Sequence, residues 1–221
     1  MNKFQTVLAV AGLALASSGA SAALVSGATV DFSFDTNDIF NSYTVIGDTL
    51  IFQATGLSSS ATPSQGYDFA SPVNTPLVTF KARSGYTLDL LDVTQLGSYT
   101  QIGTGQVAAS ATFTVNNPYG NTTTQSISSL TGTNSFPSNI STSWNSYDFA
   151  FLTTGTLAAS AQTQTQLATV NGGGSGLNVA QINVYQVEFG AFTTAVPVPG
   201  AFWLFGSALT GILVSRRRVA A

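Results

Sequence analysis

The chain contains no cysteine and no histidine among its 221 residues, and only 7% of its residues are charged. Without cysteine, disulfides, thiolate metal sites and cysteine nucleophiles are excluded. Without histidine, a Ser-His-Asp triad is excluded, and the commonest general base and zinc ligand are missing. These absences narrow the range of possible enzymes but leave carboxylate chemistry open. We expect no catalytic residue, no metal and no cofactor, and a fold that is stabilised by its hydrophobic core.

Basic residues are scarce, and half of the 6 that exist are Arg216, Arg217 and Arg218 near the end of the sequence. Between residues 23 and 196 there are 2 basic and 9 acidic side chains, so the net charge of this body is 2 − 9 = −7. A domain with a negative net charge cannot neutralise a phosphate backbone, so we do not expect nucleic acid as a partner. The same charge disfavours anionic lipid headgroups.

Residues 1–22 have the features of a signal peptide. Lys3 precedes an unbroken run of apolar or small residues over 7–16, which is too short to span a bilayer. Small residues at Ala20 and Ala22 then predict cleavage by signal peptidase in front of Ala23. We expect a signal helix and export from the cytoplasm; a short buried helix is the structural alternative.

The body, residues 23–194, alternates between apolar and polar residues with a period of two. On the clearest stretch, residues 106–116, the apolar side chains share one face and the polar ones the other. Polar turns separate such runs, which predicts nine strands over 27–34, 43–54, 76–83, 86–100, 105–116, 122–130, 147–158, 163–170 and 177–192. This pattern favours an all-β fold, an antiparallel β-sandwich of jelly-roll-like form. A low-complexity chain is the alternative, but the 15 Phe and 7 Tyr argue against disorder.

Two of the predicted strands change their buried face along their length. Leu88 and Leu90 share one face, but Leu91 and Val93 continue on the other. A similar change separates the apolar residues at 180, 182 and 184 from those at 185, 187 and 189. Either a β-bulge or a strand buried on both faces would explain each change.

Residues 195–221 form a tail with three parts: Pro197-Val198-Pro199, an apolar segment over 200–215, and the arginines 216–218. With the preceding prolines the segment has 21 residues, about 31 Å as a helix, which matches the hydrocarbon core of a bilayer. Arginines that follow a membrane segment stay on the cytoplasmic side. We expect a transmembrane helix with the acidic body outside; a last core helix is the alternative.

This tripartite tail resembles the sorting domain of the PEP-CTERM family of exported bacterial proteins, with Val198 where the family's motif has Glu. The resemblance covers about 25 residues and the signal peptide. It implies recognition by an exosortase, a membrane-embedded cysteine transpeptidase, and cleavage near the proline motif. It also implies association with exopolysaccharide and biofilm, with a passage through the inner membrane to the cell surface or the extracellular matrix. A permanent C-terminal anchor is the alternative to processing.

Within the body, the strongest candidate for a ligand site is Trp144 with Tyr147 and Asp148, because an aromatic platform beside a carboxylate can hold a sugar ring. The alternative is that these aromatic residues close the end of a core. Oxygen ligands at Asp31 and in the stretch 35–38 suit calcium, although an Asx-rich turn explains them as well.

Asp89 and Asp92 are the carboxylate pair that a glycoside hydrolase would need. Three residues apart on a regular strand, they point to opposite faces, and only a bulge at residues 90–91 brings them together. The sequence thus predicts a structural or adhesive surface protein, not an enzyme. A carbohydrate- or calcium-binding module is the alternative function.

Overall fold

The computed structural model describes residues 22–62, 66–118, 120–130, 142–171 and 178–197, and Ser207. In these ranges the fold is all-β, as predicted. The strands are β1 (Ala23–Ser26), β2 (Val30–Phe34), β3 (Ser42–Ile46), β4 (Thr49–Gln53), β5 (Ser58–Ala61), β6 (Tyr67–Phe69), β7 (Val73–Asn74), β8 (Val78–Ala82), β9 (Tyr86–Ile102), β10 (Gln106–Asn117), β11 (Gly120–Leu130), β12 (Thr142–Thr156), β13 (Ala158–Val170) and β14 (Val179–Ala195).

The strands form two antiparallel sheets. Sheet I has the order β1-β2-β8-β13-β10-β11, and the short strands β6 and β7 also pair with β13. Sheet II has the order β12-β9-β14-β4-β3, with β5 added to β14. The predicted β-sandwich is confirmed. The predicted signal helix and the transmembrane helix over 200–215 lie outside the described residues, except for Ala22 and Ser207. The extension of that helix back to residue 195 is wrong, because Ala195 ends β14 and the N–H of Val196 donates to the carbonyl of Gly85.

The alternation that predicted the strands also defines the core. On β10 the side chains of Val107, Ala109, Ala111, Phe113 and Val115 are buried between the sheets, while their neighbours face outward. Burying one face of each sheet against the other is what stabilises a sandwich without disulfides.

Phenylalanines form a cluster of rings within the core. The ring of Phe189 on β14 lies 6.2 to 6.4 Å from those of Phe52, Phe80 and Phe113, so that it joins β4 of its own sheet to β8 and β10 of the other. Phe32 packs edge-to-face on Phe80 at 5.4 Å. Edge-to-face aromatic pairs contribute beyond the area that they bury.

The two changes of face are β-bulges. On β9, Leu90 pairs with Phe192 and Leu88 with Thr193, which leaves Asp89 as an extra residue. On β14, Val184 pairs with Gly97 and Gln186 with Leu96, which leaves Tyr185 as an extra residue. Each bulge reverses the alternation, so that apolar residues on both sides of it reach the core.

The single strand predicted over 43–54 is wrong, because β3 and β4 are joined there by a two-residue turn at Gly47-Asp48. Gly47 has φ 61°, a left-handed conformation that glycine adopts without strain. Asp48 fixes this turn to β2: its carboxylate accepts hydrogen bonds from the N–H of Thr29 at 2.7 Å and of Val30 at 3.1 Å.

Candidate functional site

The first of the predicted ligand residues, Trp144, is part of the core. It lies on β12 opposite Gly97 of β9, and only 5% of its surface is exposed. Its indole N–H donates to the carbonyl of Asn183 on β14, at 3.2 Å. The indole therefore crosses Gly97 to reach the next strand, and it is not presented to a ligand.

Tyr147 and Asp148 follow on opposite faces of the same strand. Tyr147 is 53% exposed on the outer face of sheet II, which is the face turned away from sheet I. Asp148 turns to the other face, and its carboxylate accepts the N–H of Phe149 at 2.8 Å. The three predicted residues do not converge on one site, because residues of a strand alternate between its faces.

The outer face of β12 instead carries three aromatic side chains in line: Tyr147, Phe149 and Phe151. We call them the aromatic row. They are 53%, 41% and 72% exposed, and their ring centroids are 5.9 and 5.4 Å apart along the row. The predicted site did not include Phe149 and Phe151. The period of two from Tyr147 onward puts them on one face with Tyr147, but it does not show that this face is exposed.

Apolar side chains extend the aromatic row across sheet II. Leu90 lies between Phe151 and Phe192, since it pairs with both across the sheet, and Phe192 is itself 57% exposed. Contiguous exposed apolar patches are candidates for binding surfaces, which makes this face the candidate site of the body.

Acidic side chains flank the row. Asp92 lies next to Phe149, where it is bonded to the N–H of Gly190 and to the hydroxyl of Tyr147. Burial raises the pKa of Asp92 above its ordinary value, and these two hydrogen bonds partly oppose that increase. Burial and the adjacent Asp92 carboxylate also raise the pKa of Tyr147. Glu188, on the neighbouring β14, adds a second carboxylate. The surface thus combines aromatic faces with hydrogen-bond acceptors of negative charge.

Asp89 and Asp92 both lie on the outer face because of the bulge, which falls at Asp89 and not at residues 90–91. Each carboxylate has its own partner on β14: Thr194 donates to Asp89, and Gly190 to Asp92. These partners are four residues apart, about 13 Å along a strand. The pair therefore occupies two separate hydrogen-bonding environments, with Leu90 between them.

Residues 35–38, the stretch considered for calcium, form a turn that is closed by the side chain of Asn37. The side-chain oxygen of Asn37 accepts the N–H groups of Ile39 at 3.1 Å and Phe40 at 2.8 Å, which is an Asx turn. Asp31 is engaged elsewhere, with Ser26 and Arg83. In the described part of the chain, acidic side chains nowhere gather in groups of three that could hold a metal ion.

A second feature lies where the chain leaves the sandwich after β14. An open depression of about 760 Å³ is lined by residues that include Lys81, Arg83, Leu157, Val196 and Pro197. Arg83 forms an ion pair of 2.9 Å with Asp31. Hydrogen bonds from Ser26 and Arg83, of which the one from Ser26 has the larger effect, hold the pKa of the Asp31 carboxyl below its ordinary value.

Most residues of the predicted targeting segments lie outside the described ranges. These are Ala20 of the cleavage site, Val198 and Pro199 of the sorting motif, the apolar segment apart from Ser207, and Arg216 to Arg218. Ala22 precedes β1, Ala23 begins it, and Pro197 follows β14. Among the residues that the structure describes, no helix has the length and hydropathy needed to cross a bilayer.

No family model matches the chain. No curated protein matches it. Among solved structures, the chain is similar to the infectious bursal disease virus Gx strain structure, at 12% identity and a TM-score of 0.26 over 78% of this chain and 51% of that one. It is also similar to Eiger TNF from S. frugiperda, at 12% identity and a TM-score of 0.24 over 65% of this chain and 96% of that one. The chain spans about half the length of the viral protein, and TM-scores this low carry no argument about function.

Proposed function

We propose that this protein is exported to the cell surface or the extracellular matrix, where a jelly-roll-like sandwich binds polysaccharide through the aromatic row. The role is adhesive or structural, with no catalytic step. The observation that supports it is the exposure of Tyr147, Phe149 and Phe151 in line on one outer face. An extended row suits a linear polymer, since successive rings can contact the apolar faces of successive sugar units.

The charge of this face points to the class of polysaccharide. Asp92 and Glu188 lie beside the row, and the basic side chains of the body, Lys81 and Arg83, are on or directly after β8 of the other sheet. Carboxylates accept hydrogen bonds from sugar hydroxyls but repel uronate or sulfate groups. The ligand is therefore a neutral polysaccharide.

Affinity for soluble polysaccharides tests this proposal, with neutral polymers such as dextran and mannan compared with an anionic one such as alginate. If one sugar face contributes about as much as an aromatic pair, ~0.5–1.5 kcal/mol, each ring changes Kd by roughly 2- to 12-fold. Phe151→Ala should weaken binding by this amount. Phe69→Ala is a matched control, because Phe69 is also an exposed phenylalanine, 55% accessible and packed against Tyr67, but on sheet I.

Equal losses in Phe151→Ala and Phe69→Ala, or preferential binding of alginate, would count against a site on the aromatic row. Trp144→Ala is not a useful variant for this purpose, because Trp144 belongs to the core and its loss would affect folding.

The route to the surface is proposed from the sequence. An N-terminal signal helix directs export, a transmembrane helix over 200–215 holds the body outside, and an exosortase cuts near Pro197-Val198-Pro199. Intact mass of the extracellular form distinguishes processing from permanent anchoring: a product that ends near the proline motif supports processing. Retention of Arg216 to Arg218 would favour the anchor.

A further inference from the structure

We propose that the end of the sandwich from which the C-terminal segment leaves rests directly on the lipid surface, with the strands of sheet II pointing away from the bilayer. The occupant of this end is the headgroup region of the membrane. The inference rests on the membrane segment that is proposed above, and it adds the orientation of the body.

The C-terminal segment stays hydrogen-bonded to the sandwich as far as Val196. β14 ends at Ala195, and the N–H of Val196 donates to the carbonyl of Gly85 at 2.8 Å, in the connection between β8 and β9. Only residues 198 and 199 separate Pro197 from Gly200, where the proposed transmembrane segment begins. Three residue steps span at most about 10 Å. A membrane segment that begins at 200 therefore keeps this end of the body within about 10 Å of the lipid surface.

The side chains at this end suit the headgroup region. Leu157 is 61% exposed and Val196 47% exposed, and both line the depression described above. Leu157 is held in place, because its carbonyl accepts the N–H of Ala82 at 2.9 Å. Lys81, which lines the same depression, can extend its ammonium group to a phosphate along an apolar surface, whereas Arg83 is paired with Asp31.

The acidic side chains at this end are occupied by protein partners. Asp31 is paired with Arg83 at 2.9 Å, and Asp48 turns toward Thr29 and Val30. Asp89 accepts a hydrogen bond from Thr194. Both basic residues of the body lie at this end together with these three carboxylates, so the net charge here, 2 − 3 = −1, is far smaller than the −7 of the whole body.

This orientation leaves the aromatic row accessible. Phe192 precedes Val196 by four residues, about 13 Å along the strand, and it pairs with Leu90, which pairs with Phe151. The row thus runs away from the membrane on a lateral face. The opposite end of the 17-residue β14 is about 55 Å distant.

The absence of cysteine allows unique fluorescent labels to test this orientation in the full chain, reconstituted in phosphatidylcholine vesicles with a minor anionic component. Single variants Leu157→Cys and Ser84→Cys report on the proposed contact, because both residues are exposed at this end. Gln106→Cys, exposed at the start of β10, reports on the opposite end. Ser207→Cys reports on insertion of the tail itself. Lipids with a quencher in the headgroup region provide the readout for residues 84, 106 and 157, and lipids with a quencher deep in the acyl chains provide it for residue 207.

We expect the labels at 84, 157 and 207 to be quenched and the label at 106 to retain its intensity. Quenching at 207 without quenching at 84 and 157 would overturn the proposed contact and leave the membrane segment intact. Equal quenching at 84, 106 and 157 would also overturn it, because the body would then lie flat. If the label at 207 is not quenched, the membrane segment itself fails and the contact falls with it.

Discussion

The indole of Trp144 lies directly against Gly97, its pairing partner on β9, in the space where any other residue would have a Cβ. A Cβ at Gly97 would overlap the indole and the carbonyl of Asn183, to which the indole donates. Gly97→Ala should therefore destabilise the fold by about 1–3 kcal/mol, the usual cost of overpacking a core. Denaturant unfolding measures the change.

A double-mutant cycle tests whether the indole is the cause. In a Trp144→Ala background the ring is gone, so Gly97→Ala should cost less than it does in the wild type. The same cost in both backgrounds would assign the effect to the backbone of Asn183 and not to the ring.

Gln95 is a buried polar side chain that joins the two sheets. Its amide N–H₂ donates to the hydroxyl of Thr165 at 2.6 Å and of Thr163 at 3.3 Å, and all three residues are fully or almost fully buried. Gln95→Leu leaves two threonine hydroxyls without their donor, which should cost about 1–3 kcal/mol. Denaturant unfolding provides the measurement.

The matched control for Gln95→Leu adds Thr163→Val and Thr165→Val. If unpaired hydroxyls cause the loss, the triple variant should regain stability, because replacing both partners with apolar groups of similar shape is nearly neutral. A triple variant that is less stable than Gln95→Leu alone would contradict this explanation.

The sequence was sufficient to predict the fold class and the inward face of most strands, because the period of two reports directly on burial. It also indicated that β9 and β14 each change their buried face, but on β9 it placed the change after Leu90, whereas the bulge lies at Asp89. It could not distinguish a bulge from a doubly buried strand. That choice depends on the partner strand: Asp89 is an extra residue only with respect to Phe192 and Thr193.

The candidate site was predicted only in part for a related reason. Tyr147 does lie on an exposed face, whereas Trp144 belongs to the core, and the sequence alone does not show which face of β12 meets sheet I. The short strands β5, β6 and β7 were missed because their pairing with β13 and β14, and not their own pattern, makes them strands.

We predict that Asp148 protects the edge of β12 from pairing with another molecule. β12 is an edge strand of sheet II in the described ranges, and Asp148 is the one charged residue among its 15 residues. Its carboxylate accepts the N–H of Phe149 at 2.8 Å, and charged residues on an edge strand oppose pairing with a strand of another molecule. Asp148→Ala should therefore increase self-association, which sedimentation velocity over a range of protein concentrations detects.

Asp148→Asn separates capping from charge, since the amide oxygen can still accept the N–H of Phe149. If capping protects the edge, the Asn variant should associate less than the Ala variant. Equal association of both would assign the protection to charge, and a monomeric Ala variant would show that the edge needs no protection.

Asp92 and Asp31 should affect stability with opposite dependence on pH. The folded-state pKa of Asp92 is raised above 3.8, chiefly by burial, so the folded state holds the proton more tightly than the unfolded chain. Stability from this group is present below 3.8 and is lost as the pH rises through the raised folded value. Asp92→Asn should therefore be stabilising relative to the wild type at neutral pH, and the advantage should disappear well below pH 3.8.

The pKa of Asp31 is lowered from 3.8, so Asp31→Asn should lose stability at neutral pH and lose little in strong acid. Denaturant midpoints at neutral pH and well below pH 3.8 measure the difference for each variant. If Asp92→Asn is less stable than the wild type at neutral pH but not in acid, the hydrogen bonds of Asp92 to Gly190 and Tyr147 outweigh the cost of burying its charge.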